Sequence, residues 1–268
     1  MPNDTTNGVG ALFQSAVDAG ALSTEALKGI GNIRDIGEEI NNALGIKVDG
    51  VTATEVILVT LLVDDSGSIR FIQGNTEAVR EGHNFVLDSL GKTKTQDGIL
   101  AMCAYLNQGL LYPYSPVDKA VRMDTSNYNP NGGTPLYNEA VKTLATVIAK
   151  CQEFLDNGIA CRTVTAIITD GANSYPGGKT AADVKKIVAD MLKSENHIIA
   201  GMGIADGSTN FKAVFEEMGI HPEWILTPKN SPSEIRRAFN MLSQSAQRAS
   251  QASGVPFSKT AMGGFASP

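Results

Sequence analysis

Apolar residues follow two different patterns along this chain, and the change between them lies close to residue 50. Before that point they recur at helical spacing, as Ile33, Ile36, Ile40 and Leu44 do. From residue 51 onward, short apolar runs alternate with longer amphipathic segments. This alternation predicts an α/β domain whose strands are connected by helices.

The first 50 residues (1–50) are expected to form an N-terminal helical extension made of two short helices. An apolar stripe includes Phe13 and Ala16, and Ser23 is suited to cap a helix over residues 24–30. Gly29 and Gly37 weaken this prediction, because a glycine inside a helix costs about 1 kcal/mol relative to alanine. We expect the extension to pack against the main domain or against a partner.

Later segments of the chain have the composition and length of strands. Residues 56–63 are nearly all apolar, as expected for a central strand that is buried on both faces. Residues 98–106 and 109–114 are separated by a short polar turn, which predicts an antiparallel pair. The other strands are predicted at residues 162–169, 197–204 and 223–226.

Amphipathic segments between these strands predict helices at residues 75–90, 136–155, 181–194, 211–218 and 233–247. The expected fold is therefore α/β: a Rossmann-like, doubly wound, mostly parallel sheet with one antiparallel edge strand and helices on both faces. We assign this domain to residues 51–248. Residues 249–268 are rich in Ser, Gly and Ala, and they are expected to form a flexible C-terminal tail.

Composition and charge argue against several classes of function. With 268 residues, 42% hydrophobic and 19% charged, the chain suits one large domain with appendages. The net charge of −6 and the lack of a Lys/Arg block argue against nucleic-acid binding. No secretory signal is evident, and no run approaches the ~20 apolar residues of a membrane span. We therefore expect a cytoplasmic protein without membrane contact, and buried free thiols at Cys103, Cys151 and Cys161.

Oxygen-bearing side chains occur at points where strands are expected to end or loops to turn. They are Asp64, Ser66, Ser68, Thr134 and Asp170. The first three directly follow the strand at 56–63, and the last follows the strand at 162–169. Ligands of open α/β sheets gather at the carboxyl ends of strands. Carboxylates and hydroxyls without His or Cys are suited to a hard cation, Mg²⁺ or alternatively Mn²⁺ or Ca²⁺.

The segments that carry these residues resemble the metal-ion-dependent adhesion site (MIDAS) of von Willebrand factor A (VWA) domains, in particular the bacterial intracellular members. They are D-x-S-x-S at 64–68, GGTPLY at 132–137 and TDG at 169–171, and the resemblance covers about residues 55–247. It implies a VWA fold. It also implies that Asp64, Ser66 and Ser68 bind the metal from one loop and Thr134 from a second. Asp170 would act from a third, often through water.

The resemblance implies an adaptor rather than an enzyme. An open coordination position on the metal would capture an Asp or Glu of a partner protein. By analogy alone, the partner would be an AAA+ ATPase or a kinase/phosphatase system. Two alternatives remain open: a Mg²⁺-dependent hydrolase or phosphatase that uses Asp64, and a structural assembly subunit whose metal ties loops together. The P-loop-like segment 177–180 lacks the glycine that the motif requires at Asn173.

Neighbouring residues carry further expectations. Asp65 is expected to be a solvated loop carboxylate, and Tyr128 is a candidate partner contact. Asn173, Ser174 and Tyr175 follow Asp170 and are candidates to line the partner surface, although turn chemistry explains Asn and Ser equally well. Trp224 is expected to belong to the core.

Overall fold

A six-stranded sheet forms the centre of the molecule in the computed structural model, which describes residues 4–93 and 96–251. The strands are β1 (Glu55–Val63), β2 (Ile99–Tyr105), β3 (Leu110–Pro116), β4 (Ala160–Thr169), β5 (His197–Gly203) and β6 (Ile225–Leu226). Their order is β3-β2-β1-β4-β5-β6. All neighbouring strands are parallel except β2 and β3. The expected mostly parallel sheet with one antiparallel edge strand is confirmed.

Helices cover both faces of this sheet. They are α1 (Asp4–Asp18), α2 (Thr24–Ile30), α3 (Ile33–Leu44), α4 (Asn75–Leu90), α5 (Leu136–Asp156), α6 (Ala181–Lys193), α7 (Phe211–Glu217) and α8 (Pro232–Gln251). Val56 and Leu58 of β1 pack with Phe154 of α5, whereas Ile57 and Val59 belong to a separate core cluster. Alternate residues of a strand point to opposite faces, so each face has its own core. Within residues 4–93 and 96–251, no helix is long and apolar enough to cross a bilayer.

The functional edge of the sheet is set by β1 and β4. β1 is buried at every position after Glu55, which explains its nearly uniform apolar sequence. Val63 pairs with Ile168 of β4, and the N–H of Asp64 continues the ladder to the Ile168 carbonyl at 2.9 Å. The chain leaves β1 toward β2 on one side and reaches β4 on the other. The carboxyl ends of β1 and β4 therefore flank the switch point where α/β sheets bind ligands.

The N-terminal segment packs closely on the domain, with three helices where the apolar pattern predicted two. Ser23 caps α2 as expected, since its hydroxyl accepts a hydrogen bond from the Ala26 N–H. Its own N–H donates to Asp190 of α6 at 2.8 Å. The side chains that this segment buries completely or almost completely include Val9, Phe13, Ala16, Leu22, Ile30 and Ile40. These helices therefore share the core of the sheet domain.

The segment after α3 covers the open side of the edge strand β3. The N–H of Ile46 donates to the Tyr114 carbonyl at 2.9 Å. Gly45 has φ +62°, and a Cβ there would overlap the backbone of Tyr114, so this close approach requires glycine. The buried ammonium of Lys150 donates to the Ile46 carbonyl and to Glu153. Both backbone polar groups of Ile46 are thus bonded.

The structure also tests the expectations for the cysteines, for Trp224 and for the last helix. The three cysteines are buried free thiols, and Trp224 is buried, both as expected. The last helix continues to Gln251, three residues beyond the expected end of the domain. The rest of the expected tail, residues 252–268, lies outside the described residues.

Candidate metal centre

Asp64 is the most deeply placed residue of the expected site. It is fully buried directly after β1, and both of its carboxylate oxygens accept hydrogen bonds. Oδ1 accepts from the Ser66 N–H at 2.7 Å. Oδ2 accepts from the Thr169 hydroxyl at 2.6 Å and from the Asp170 N–H at 3.3 Å. The end of β4 therefore fixes the orientation of the carboxylate at the end of β1.

Asp170 brings two serines of the first loop to the third loop. Its Oδ1 accepts hydrogen bonds from the Ser68 hydroxyl at 2.7 Å and from the Ser66 hydroxyl at 3.2 Å. The two serine hydroxyls lie 3.0 Å apart. Three oxygens from two loops thus form a small triangle beside Asp64. The expectation that these residues lie together agrees with the structure.

Thr134 enters the cluster from the second loop. A Cβ built on Gly171 would lie 3.1 Å from the Thr134 hydroxyl oxygen, which places that hydroxyl against the backbone that follows Asp170. Ser174 holds Thr134 at both backbone groups: its N–H donates to the Thr134 carbonyl at 2.9 Å, and its hydroxyl accepts from the Thr134 N–H at 2.8 Å. Only 6% of Thr134 is exposed. Thr134 therefore lies beside the third loop, which carries Asp170, and its hydroxyl faces the backbone of Gly171.

Backbone contacts join the first and second loops directly. The Gly67 N–H donates to the Gly132 carbonyl at 3.1 Å, and the Asn131 N–H donates to the Asp65 carbonyl at 2.6 Å. Gly132 has φ +109°, and a Cβ there would lie 2.8 Å from the Asn107 side chain. Glycine is required at this position because an L side chain rarely adopts that φ and has no space here.

Asp65 is not the solvated loop carboxylate that the sequence suggested. It is fully buried. Its Oδ1 accepts from the backbone and side-chain N–H groups of Asn107 at 2.8 and 2.9 Å, and its Oδ2 accepts from the Gln108 N–H at 3.0 Å. Asp65 therefore attaches the turn between β2 and β3 to the first loop. A run of two aspartates gives no sign of which one faces the site.

Tyr128 is not a surface contact either, so that expectation is wrong. The side chain is completely buried, and its hydroxyl donates to the Asp64 carbonyl at 2.6 Å. Its ring lies 5.6 Å from the ring of Tyr105 at the end of β2. Tyr128 therefore fixes the backbone of the first loop from the buried interior of the protein. Its polar neighbours in sequence concealed this role, because they resemble an exposed loop.

Burial of two neighbouring acids shapes the electrostatics of the cluster. Burial raises the pKa of Asp64 above its usual value, although hydrogen bonds from Thr169 and Ser66 act in the opposite direction. Burial and then the negative charge of Asp64 raise the pKa of Asp170 to about 6. Two buried carboxylates that repel each other gain most from a nearby positive charge.

Comparison with known proteins adds solved structures of the same shape. The pilus adhesin SpaC of Lactobacillus rhamnosus GG, in its open conformation, superposes with a TM-score of 0.50 at 12% identity over 74% of this chain. A second form of SpaC gives a TM-score of 0.51 at 11% identity. Neither a protein-family model nor a curated protein matches the sequence. At these identities the likeness concerns the fold.

Two further structures have lower TM-scores. Proximal thread matrix protein 1 from the mussel byssus, with a zinc-occupied MIDAS motif, gives 0.48 at 16% identity over 72% of this chain. The SpRpn10 VWA domain gives 0.47 at 12% identity, covering 69% of this chain and 94% of that one. The match spans 31% of SpaC and 46% of the mussel protein, so this chain corresponds to less than half of each.

The strand order, the single antiparallel edge and the meeting of three loops beyond β1 and β4 decide the fold. This chain has a von Willebrand factor A fold. Within the VWA fold, the five oxygen-bearing residues occupy the carboxyl edge of the sheet.

The donor set fits a hard divalent cation. In an octahedron with metal–oxygen distances near 2.1 Å, neighbouring ligand oxygens lie about 3 Å apart. The oxygens of Ser66, Ser68 and Asp170 are separated by 2.7, 3.0 and 3.2 Å. Among the described residues, no group of three or more His, Cys, Asp and Glu is placed to hold a metal. Hydroxyls would therefore supply most of the protein ligands in this VWA fold.

Sequence reasoning missed the residues that orient the candidate ligands. The Thr169 hydroxyl donates to Asp64, and Ser174 hydrogen-bonds to the backbone of Thr134. The Asn107 side chain donates to Asp65 and to the Gly133 carbonyl. Thr169 gave no distinct signal, because β4 contains other threonines at Thr163 and Thr165. Ser174 and Asn107 lie in turns, where Ser and Asn are ordinary. Only the folded chain shows their partners.

Proposed function

We propose that this protein is a metal-dependent protein–protein interaction module. Asp64, Ser66, Ser68, Thr134 and Asp170 would hold a divalent cation, Mg²⁺ in the first instance and Mn²⁺ or Ca²⁺ as alternatives. When bound, the cation supplies a coordination position that accepts a carboxylate oxygen from a partner protein. The observation that carries the proposal is the convergence of these five side chains, drawn from three distant loops, at one edge of the sheet.

The cluster is suited to binding rather than to turnover. Asp64 is fully buried and its two carboxylate oxygens already accept hydrogen bonds, so it is a poor nucleophile for a hydrolase. His83 is buried against Tyr112, and His197 contacts Thr163 at the start of β5. His197 starts β5 at its amino end, and both ring nitrogens of His83 already have partners, which argues against either as a base for the serines. We therefore propose an adaptor that is not an enzyme.

The setting of this module is also a proposal. Three buried free thiols support a reducing compartment, for which we propose the cytoplasm. By family analogy alone, the partner would be an AAA+ ATPase or a component of a kinase/phosphatase system, in a bacterial cell. The alternative of a structural assembly subunit predicts the same metal site without capture of a partner carboxylate.

Calorimetric titration of the full chain with Mn²⁺ tests the metal site. We expect one Mn²⁺ per chain, and at least ~10-fold weaker binding for Asp64→Ala, because a buried charged ligand is lost. Asp206→Ala is the matched control, since Asp206 also lies in a loop beyond a strand and its carboxylate accepts hydrogen bonds from Ser208 and Thr209 of its own loop. Equal Mn²⁺ affinity in the two variants would contradict the site.

Affinity capture in the presence of Mg²⁺ or EDTA tests the interaction. We expect the wild-type chain and Asp206→Ala to recover a partner only with Mg²⁺, and Asp64→Ala to recover none. Recovery of the same partner in EDTA would exclude metal-dependent capture. Turnover of phosphate esters by the pure protein, lost in Asp64→Ala, would favour the hydrolase.

A further inference from the structure

Large apolar side chains are exposed on two of the three loops that carry the candidate metal ligands. Phe71 is 78% exposed and Tyr175 is 57% exposed. Ile72, beside Phe71, is 40% exposed. Phe71 follows Ser68 in the first loop, and Tyr175 follows Asp170 in the third. We call Phe71, Ile72 and Tyr175 the aromatic rim.

The local backbone holds Phe71 beside the metal cluster. Residues Gly67–Phe71 form a short 3₁₀ helix. In a 3₁₀ helix, side chains three residues apart project from the same face, with a rise of about 2 Å per residue. Phe71 therefore shares the face of Ser68 and lies about 6 Å further along the axis. Because the Ser68 hydroxyl bonds Asp170, this face borders the site.

Tyr175 is held on the other side of the cluster. Its neighbour Ser174 makes two hydrogen bonds with the backbone of Thr134. The Asn173 side chain donates to the Tyr175 carbonyl at 3.2 Å and accepts from the Tyr137 N–H at 3.4 Å. The backbone at Tyr175 is therefore tied to the first turn of α5, while the ring is left in solvent.

Exposure of this kind is unfavourable without a function. Leaving a Phe side chain in water forgoes about 1.5–3 kcal/mol that burial would provide. Aromatic side chains at the centre of an interface often carry most of its binding energy. Other exposed large apolar residues, such as Phe85 and Leu155, lie within α4 and α5 rather than in the metal loops. The rim therefore coincides with the place where a partner would contact the metal.

We propose that the aromatic rim selects a partner segment in which the metal-binding Asp or Glu is flanked by apolar or aromatic residues. This inference rests on the proposed function, because the metal fixes the carboxylate and the rim then contacts its neighbours. With Asp64 and Asp170 ionised, a divalent cation leaves the cluster neutral, so a partner segment with a single carboxylate meets less repulsion there than a segment with several acids. Apolar flanks suit Phe71 and Tyr175 better than a run of acids would.

The C-terminal segment of this chain is a weaker candidate for the same surface. Residues 252–268 contain Phe257 and Phe265 but no Asp or Glu. They offer apolar side chains but no side-chain carboxylate for the metal. A partner segment that carries both is the better match.

Synthetic peptides test the selection with the full-length protein. One peptide has a central Glu flanked on both sides by Leu and Phe, a second has the Glu flanked by Ser, and a third has Gln in place of Glu between the apolar flanks. Binding is measured by fluorescence polarisation with Mn²⁺ and with EDTA. We expect the apolar-flanked Glu peptide to bind at least ~10-fold tighter than the Ser-flanked one, and only with Mn²⁺.

Rim variants assign the preference to these residues. Phe71→Ser and Tyr175→Ser should each remove the preference for the apolar-flanked Glu peptide over the Ser-flanked one. The Mn²⁺ affinity of both variants, measured by calorimetry, should stay unchanged. Phe85→Ser is the matched control and should keep the preference, because Phe85 is exposed on α4 away from the metal loops.

The outcomes separate this inference from the proposed function. If both Glu peptides bind equally with Mn²⁺, or if Phe85→Ser behaves like Phe71→Ser, the rim does not select and the inference fails while the metal site stands. The proposed function fails, and the inference with it, if the Gln peptide binds as tightly as the Glu peptide. It also fails if the Glu peptides bind equally well with Mn²⁺ and with EDTA, or do not bind at all. A Mn²⁺-dependent dimer that Phe71→Ser abolishes would assign the surface to a second copy and overturn the inference.

Discussion

The hydroxyl of Tyr128 donates a 2.6 Å hydrogen bond to the backbone carbonyl of Asp64, and both residues are completely buried. The bond supports the loop of candidate ligands after β1 from a segment more than sixty residues away in sequence. We predict that Tyr128→Phe lowers the free energy of unfolding by about 1–3 kcal/mol, because a buried carbonyl loses its donor. It should also weaken Mn²⁺ binding. Urea denaturation and calorimetry measure both effects.

Tyr175→Phe is the control for that experiment, since it removes a phenolic hydroxyl from an exposed side chain. It should leave both quantities unchanged within about 0.5 kcal/mol. A Tyr128→Phe protein as stable as the wild type would show that the bond does not support the loop.

Asp170→Asn is predicted to stabilise the metal-free protein. The folded-state pKa of about 6 lies above the usual 3.8. Above pH 6 the folded chain therefore carries a charge that it disfavours, and stability falls as pH rises between these values. Removal of the charge should raise the free energy of unfolding at pH 7 by about 1–3 kcal/mol.

The same substitution should abolish the stabilisation that Mn²⁺ confers, because the metal loses a carboxylate. Thermal unfolding with and without Mn²⁺ shows both effects. A variant that is less stable without metal would contradict the proposed repulsion between Asp64 and Asp170.

Much of the fold could be predicted because hydrophobic burial determines the sequence of its central strands. β1 is buried at every position after Glu55 and is apolar there except at Thr60, so its position is unambiguous. The N-terminal helices were harder, because glycines such as Gly10 and Gly29 lower helix propensity and only tertiary packing compensates. The pattern could not show whether Phe13 faces the sheet domain or a partner.

The candidate ligands were predictable for a different reason. They lie in short segments next to strand ends, so their placement follows from the sheet. The residues that orient them do not, because Asp65, Tyr128 and Ser174 act through hydrogen bonds between loops that are distant in sequence. Such bonds depend on loop conformation, which hydrophobic periodicity does not encode.

Phe13→Ala tests whether the N-terminal helices belong to the core. Phe13 is completely buried in α1, so the substitution should leave a cavity and cost about 3–5 kcal/mol. Phe85→Ala, at an exposed position of α4, should change stability by less than about 1 kcal/mol. Chemical denaturation measures both. Similar values for the two variants would mean that the N-terminal helices contribute little to folding.

Two Gly→Ala substitutions should change the free energy of unfolding in opposite directions. A Cβ at Gly82 of α4 would overlap the Phe239 ring of α8, so Gly82→Ala should destabilise the protein by about 1–3 kcal/mol. A Cβ at Gly10 of α1 meets nothing within 4 Å. Gly10→Ala should therefore stabilise by about 0.5–1 kcal/mol through helix propensity. Thermal melts of the two variants that shift in the same direction would contradict this packing.

Two buried histidines should make the protein sensitive to acid. Burial lowers the pKa of His83 to about 4 and the pKa of His197 to about 4. Both values lie below the unfolded-state value of about 6.5, so protons bind preferentially to the unfolded chain. The free energy of unfolding should fall as pH decreases from about 6.5 toward 4, by up to about 3 kcal/mol per histidine.

His83→Gln and His197→Asn isolate these contributions, because each amide replaces the ring nitrogen that contacts Tyr112 or Thr163. The difference in stability between the wild type and each variant, measured from pH 7 to pH 4, should shrink as the pH falls. A difference that is constant over this range would mean that the histidine does not titrate on unfolding.

The contact between Ile46 and Tyr114 bears on how the protein would behave after proteolysis. Strand β3 lies at the margin of the sheet, and an uncovered margin can recruit a strand from another molecule and seed aggregates. The chain before β1 occupies part of that margin. Cleavage that released this portion would uncover both the margin of β3 and the apolar core that the N-terminal helices share, so we expect the remaining fragment to aggregate, as light scattering would show.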